Sequence, residues 1–183
     1  MVRYLLFLLL IFSSCNKPVN NRLILTQNGK ANYEIVFMHG ATKIEYQAAA
    51  ELAKYIKKIS GADINLVDES SQTLNKKKIY VGNSKEVQLE KGEISIFTQK
   101  DTIFLSGQTD TAVKNAVYVF LEKYFDCKWF APGVEFIPNT PTMALLAPQY
   151  SYTPKILTRT VHSKLFYNNP HFADKQKVTY ESF

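Results

Sequence analysis

Residues 109–138, TDTAVKNAVYVFLEKYFDCKWFAPGVEFIP, constrain the fold more than any other stretch. Val113, Ala116, Val117, Phe120 and Tyr124 recur at helical spacing, which predicts an amphipathic helix that must bury one face. Thr109 or Asp110 can cap its start, and Asp110 complements the positive end of the helix dipole. The chain then turns extended through Lys128-Trp129-Phe130-Ala131, and Pro132-Gly133 predicts a turn into Glu135-Phe136-Ile137. Trp129 and Phe130 bring two large rings to one place. Burial statistics make them the finish of a core; the alternative is an aromatic platform on which a sugar ring stacks. Cys127, beside them, reads as a buried apolar thiol.

Upstream, Leu23-Ile24-Leu25-Thr26 and Tyr33-Glu34-Ile35-Val36-Phe37-Met38 read as two strands around Asn28-Gly29, an arrangement that predicts an antiparallel hairpin. Thr42-Lys43-Ile44-Glu45 is a capping box. The helix behind it carries Ile44, Ala48, Leu52, Tyr55 and Ile59 on one face, with Gly61 as its left-handed stop. Further strands are predicted around Ile64–Leu66 and Lys78–Gly82. Ile94–Phe97 and Thr102–Leu105 flank Lys100-Asp101 as a hairpin. Strands, helix, strands, helix and short strands make an α+β domain, a mixed sheet with two helices packed on it.

The segments FLEKYFDCKWFAPGVEFIP, AAAELAKYIKKISGADINLVDE and KIYVG carry a resemblance over about residues 23–138. They are similar to the N-terminal accessory domain of glycoside hydrolase family sixty-seven, the alpha-glucuronidases, and of related bacterial secreted proteins. The resemblance implies a domain like that preceding the barrel of family-twenty hexosaminidases, with a sheet like that of zinc proteases but without their metal centre. The residues agree on the metal. Neither helix carries His-Glu-x-x-His, and His39, His162 and His171 stand far apart, so no metal and no cofactor is expected. The resemblance also implies that Pro154-Lys155-Ile156-Leu157-Thr158-Arg159 enters the first strand of a TIM barrel, with Arg159 facing a sugar. The chain ends at Phe183, short of the roughly 250 residues of a barrel, so residues 154–183 are expected to be the start of a truncated barrel or a tail with nothing to pack on.

The N-terminus implies export. Arg3, the apolar run Leu5–Phe12 and Ser13-Ser14-Cys15 resemble a lipoprotein signal, with residues 1–14 as the leader, Cys15 as the lipidated residue and 15–22 as a tether. The accessory domain is then expected over 23–153, in a bacterial cell envelope (periplasmic or outer-membrane associated) and anchored to the membrane through its lipid. The net charge of +6 is spread along the chain, and no nucleic-acid module accompanies Lys76-Lys77-Lys78, so nucleic acid is not an expected partner.

Glycoside hydrolysis usually needs two carboxyl groups in one pocket, and no such pair is visible. There is no catalytic residue to name. The candidates for sugar contact are Trp129, Phe130, Glu135 and Arg159. The expected partner is a polysaccharide or oligosaccharide, uronic-acid-containing ones among the candidates. The expected role is that of a non-catalytic domain of an exported glycoside-hydrolase-like lipoprotein; the alternatives are a stand-alone glycan-binding module and a structural envelope protein.

Overall fold

The computed structural model describes residues 22–83 and 87–180; the leader, Cys15 and the tether up to residue 21 lie outside the described residues. The chain opens with β1 (Arg22–Ile24), β2 (Thr26–Gln27), β3 (Lys30–Ala31) and β4 (Tyr33–Phe37). Next is α1 (Lys43–Ser60), where Thr42 and Glu45 form both bonds of the capping box and Gly61 closes the helix at φ 75°. A cap of this kind contributes about 1 kcal/mol. Then come β5 (Leu66–Asp68), a 3-10 turn over Glu69–Ser71, and β6 (Lys77–Val81). The hairpin of β7 (Ile94–Gln99) and β8 (Thr102–Gly107) turns on Lys100, which sits at φ 56°. Helix α2 (Asp110–Phe125) starts with the Thr109 hydroxyl accepting the Ala112 amide and ends on left-handed Asp126. A hairpin of β9 (Lys128–Ala131) and β10 (Val134–Phe136) follows, then β11 (Ala144–Leu146) and β12 (Gln149–Tyr152). The described chain closes with β13 (Thr160–Val161), α3 (Lys164–Tyr167), α4 (Pro170–Lys175) and β14 (Thr179–Tyr180).

The fold is α+β, built on a mixed six-stranded sheet in the order β12-β7-β8-β6-β4-β5. Strands β5, β4, β6 and β8 run parallel, while β7 is antiparallel to β8 and to β12. Register partners share a face, so Leu66, Ile35, Ile79 and Ile103 form one apolar row across the sheet. A second row runs through Phe37, Val81, Leu105 and Ile96 to Tyr150. Leu52, Tyr55, Ile56 and Ile59 of α1 and Val113, Ala116, Val117, Phe120 and Leu121 of α2 join these rows in one core. The opposite face carries the Glu34–Lys78 ion pair at 2.5 Å and the rings of Tyr80, Phe104 and Phe97. Those rings stack at 5.2 and 4.7 Å with planes within 9° of parallel, and the Phe104 ring between the other two is buried.

Two expectations are corrected. Asn28 and Gly29, at φ 50° and 73°, do form a hairpin turn, but it joins only β2 to β3. Strand β1 pairs with β11 instead, and β4 enters the sheet between β5 and β6, parallel to both. The reason is burial: four of the five β4 residues are buried, as suits an inner strand of a parallel sheet. Nor does the segment after residue 153 lack something to pack on. Phe172 and Ala173 are buried, Phe166 stacks on Phe172, and Lys114–Asp174 and Glu122–Lys177 ion pairs tie this segment to α2.

Gly107 sets how closely α2 meets the sheet. A Cβ there would lie 2.2 Å from the Val113 amide nitrogen and 2.3 Å from the Ala112 carbonyl carbon. Both are backbone atoms that cannot rotate away. Gly107→Ala is therefore expected to lower stability by about 3 kcal/mol, read as the shift in urea midpoint; an unshifted midpoint would show that the helix can slide outward at no cost.

Candidate functional site

The four candidate sugar contacts fall in two places. Trp129 and Glu135 are register partners in the β9–β10 hairpin and come together beneath it. Trp129 is buried, with its Nε1–H donating to the Tyr55 hydroxyl at 3.0 Å and its ring edge-on to Tyr55 and Tyr118. It belongs to the core, and no ring face is left for a sugar. Phe130 alternates to the outer side of the strand and is 68% exposed, near the equally outward Val134 and Phe136. The two rings therefore do not form one platform.

Glu135 is a joint between three elements. Its Oε1 accepts from Lys58 of α1 at 2.5 Å, and its Oε2 accepts from Tyr55 of α1 at 2.8 Å and from Lys175 of α4 at 3.3 Å. The Lys58 and Lys175 ammonium groups also sit 5.2 and 5.5 Å from the centre of the Tyr55 ring. Burial pushes the Glu135 pKa up, but the hydrogen bonds from Lys58 and Tyr55 and the charge of Lys175 outweigh it and hold the carboxyl at about 2. Burial and the bond to Glu135 push the Tyr55 hydroxyl up in turn. Both oxygens of Glu135 are thus engaged within the protein.

Arg159 lies elsewhere, on the wall of a cleft of about 910 Å³ bounded by the outer side of α2, by β12, by residues 154–159 and by the end of α4. Its Nη2 donates to the Tyr152 hydroxyl at 3.1 Å. Across the cleft, Lys123 of α2 lies 5.0 Å from the centre of the Tyr150 ring. Three carboxylates line the same space, and each is committed to a lysine: Asp174 to Lys114 at 2.5 Å, Glu122 to Lys177 at 2.7 Å and Asp126 to Lys128 at 3.0 Å. Of these lining residues the sequence reading names Arg159 and not Lys123, Tyr150 or Tyr152. Only the α2 spacing, which sets Lys123 off the buried face, hinted at the first; the pairing that brings β12 alongside β7 is long-range and leaves no local mark.

No family model matches the chain, and no curated protein matches it in sequence. Among solved structures, it is similar to a GH20 exo-β-N-acetylglucosaminidase from Vibrio harveyi in complex with N-acetylglucosamine, with a TM-score of 0.49 and 14% identity over 88% of this chain and 24% of that one. It is also similar to a GH138 enzyme targeting pectin rhamnogalacturonan II, with a TM-score of 0.44 and 12% identity over 70% of this chain and 16% of that one. These enzymes belong to glycoside hydrolase families other than the alpha-glucuronidases, and the chain spans at most 24% of their length.

Glu135 supplies a prediction with a definite sign. Its folded pKa is depressed from the ordinary 4.5, so its contribution to stability is fully present above pH 4.5 and is lost as the pH falls towards about 2. Urea midpoints measured from pH 5 downward should therefore fall more steeply for the native chain than for Glu135→Gln. Parallel curves would show that the three contacts do not couple Glu135 to folding.

Proposed function

We propose that this chain carries the non-catalytic accessory domain of an exported, lipid-anchored, glycoside-hydrolase-like protein of the alpha-glucuronidase type, and that the domain supports a (β/α) barrel entered after residue 153. The observation that carries the reading is the pairing of β13 with β14. The two strands are parallel, with Thr160 opposite Thr179 and Val161 opposite Tyr180, and α3 and α4 form the crossover between them. A parallel pair requires such a crossover, and parallel strands are found with both faces covered and further strands alongside. This β-α-β unit follows directly on residues 154–159, where the sequence resemblance implies a barrel to start, with its first strand at Thr160–Val161, just past Arg159. It is held to the accessory domain by the α2 ion pairs, by Lys175 on Glu135 and by Gln176, whose Nε2 donates to the Trp129 carbonyl at 2.8 Å.

On this reading the chain positions a catalytic unit rather than cleaving a bond itself. A glycosidase needs one carboxyl group free to donate a proton and another free to attack or to activate water. The cleft carboxylates are each paired with a lysine, and Glu135 is enclosed by its own partners. Membrane attachment rests on the lipoprotein-like leader.

The test begins with the DNA downstream of the Phe183 codon, read in all three frames, and with the chain extended through whatever it encodes. The extended protein is expected to release sugar from uronic-acid-containing oligosaccharides, and the 183-residue chain none. Turnover by the short chain, or the absence of any barrel-coding sequence, overturns the support role. The anchor is tested separately: Cys15→Ser should abolish labelling of the protein by radioactive palmitate in cells. Undiminished labelling would place the lipid elsewhere.

A further inference from the structure

We propose that the outward face of the β1–β11 ribbon lies against an anionic phospholipid bilayer, so that this end of the domain is turned towards the membrane. The ribbon is where the chain enters the fold. Arg22, its first residue, follows Cys15 by seven positions, and seven fully extended residues span at most about 25 Å. No described element lies nearer to Cys15 along the chain. That a lipid sits on Cys15 rests on the reading above; which face meets the bilayer rests on the ribbon.

Alternation gives the ribbon two unlike sides. Leu23 and Leu145 are register partners, and both are buried in the core. Their neighbours turn the other way, Arg22 opposite Leu146 and Ile24 opposite Ala144, with Leu146 68% and Ile24 38% exposed. This outer side thus presents aliphatic side chains and a cation. The segments on either side of it share that character. From Cys15 to Tyr33 the sequence carries Lys17, Arg22 and Lys30 and no acidic residue, and from Phe136 to Pro154, which supplies β11, it carries no charged residue at all. Arg22 and Lys30 form no ion pair among the described residues. Aliphatic side chains that enter the headgroup layer beside unpaired cations suit an anionic lipid surface.

The ribbon's flanks also fix its place in the domain. The Thr140 amide donates to the Ile59 carbonyl at 2.7 Å, and a Cβ on Gly29 would lie 3.5 Å from the Ser60 carbonyl oxygen. Both contacts are at the C-terminal end of α1. Tyr46, which is 48% exposed, stands near the other end of that helix, about 20 Å from Ile59 at the rise of an α-helix.

The experiment places a tryptophan at each end of α1 in the full chain, purified from cells in its membrane-attached form. Leu146→Trp and Tyr46→Trp are each reconstituted into phosphatidylcholine–phosphatidylglycerol vesicles with and without brominated acyl chains, and the emission of Trp129 in the native chain is subtracted. Bromine should quench the added emission of Leu146→Trp by about twofold, as for a ring at the headgroup–acyl boundary, and leave that of Tyr46→Trp unchanged. The quenching should weaken when phosphatidylglycerol is left out. Should Leu146→Trp not give the native near-ultraviolet circular dichroism spectrum, Ile24→Trp carries the test. No quenching at the ribbon, equal quenching at both ends, or quenching indifferent to phosphatidylglycerol overturns the proposal. Palmitate labelling separates this outcome from that of the anchor. A labelled protein with an unquenched ribbon loses the face and keeps the anchor; a protein without label loses the anchor, and the face with it.

Discussion

Both long helices lie on one face of the sheet, so a single apolar layer serves α1, α2 and the strands beneath them. Everything else adapts to that layer. Gly107 exists as glycine because the start of α2 comes within backbone contact of β8. Among the described residues the opposite face has no long helix on it and carries the stacked rings of Tyr80, Phe104 and Phe97 and the Lys78 ion pair with buried Glu34. Because α2 covers the sheet with one side only, its other side is free to take the segment after residue 153. The same helix that completes the core therefore carries the cleft and the ion pairs of α4.

Local chemistry was legible in the residues and long-range pairing was not. The capping box at Thr42 and Glu45, the stop at Gly61, the Lys100 turn and the stripe of α2 are written within a few positions of one another, and each formed as read. The fate of β1 depended on a partner more than a hundred residues away, and Asn28-Gly29, read correctly as a turn, said nothing about which strands it would join. The same limit governs the candidate contacts. Trp129 and Phe130 are adjacent in sequence and opposite in space, because a strand alternates its side chains. Glu135 was picked out for its neighbours in sequence, whereas its surroundings come from Tyr55, Lys58 and Lys175, at separations of 80, 77 and 40 residues.

The six-stranded sheet with its helices and the β-α-β unit of residues 160–180 meet through mixed contacts. Apolar burial comes from Phe172 and Ala173, charge from three lysine–carboxylate pairs, and direction from the Gln176 bond to the Trp129 carbonyl. Ion pairs of this exposure contribute little individually. Their value lies in fixing orientation, since each pairs a particular residue of 164–177 with a particular element of the domain.

Trp129 is the chain's one tryptophan, and its place gives the protein an internal optical reporter. The indole lies between two tyrosine rings in the core, while its own backbone carbonyl holds the segment that packs against the hairpin. Its emission should accordingly be that of an apolar, water-excluded indole. A loosening of the seam between hairpin, α1 and α4 would change the surroundings of that indole. The protein thus carries, unlabelled, a fluorophore within that seam.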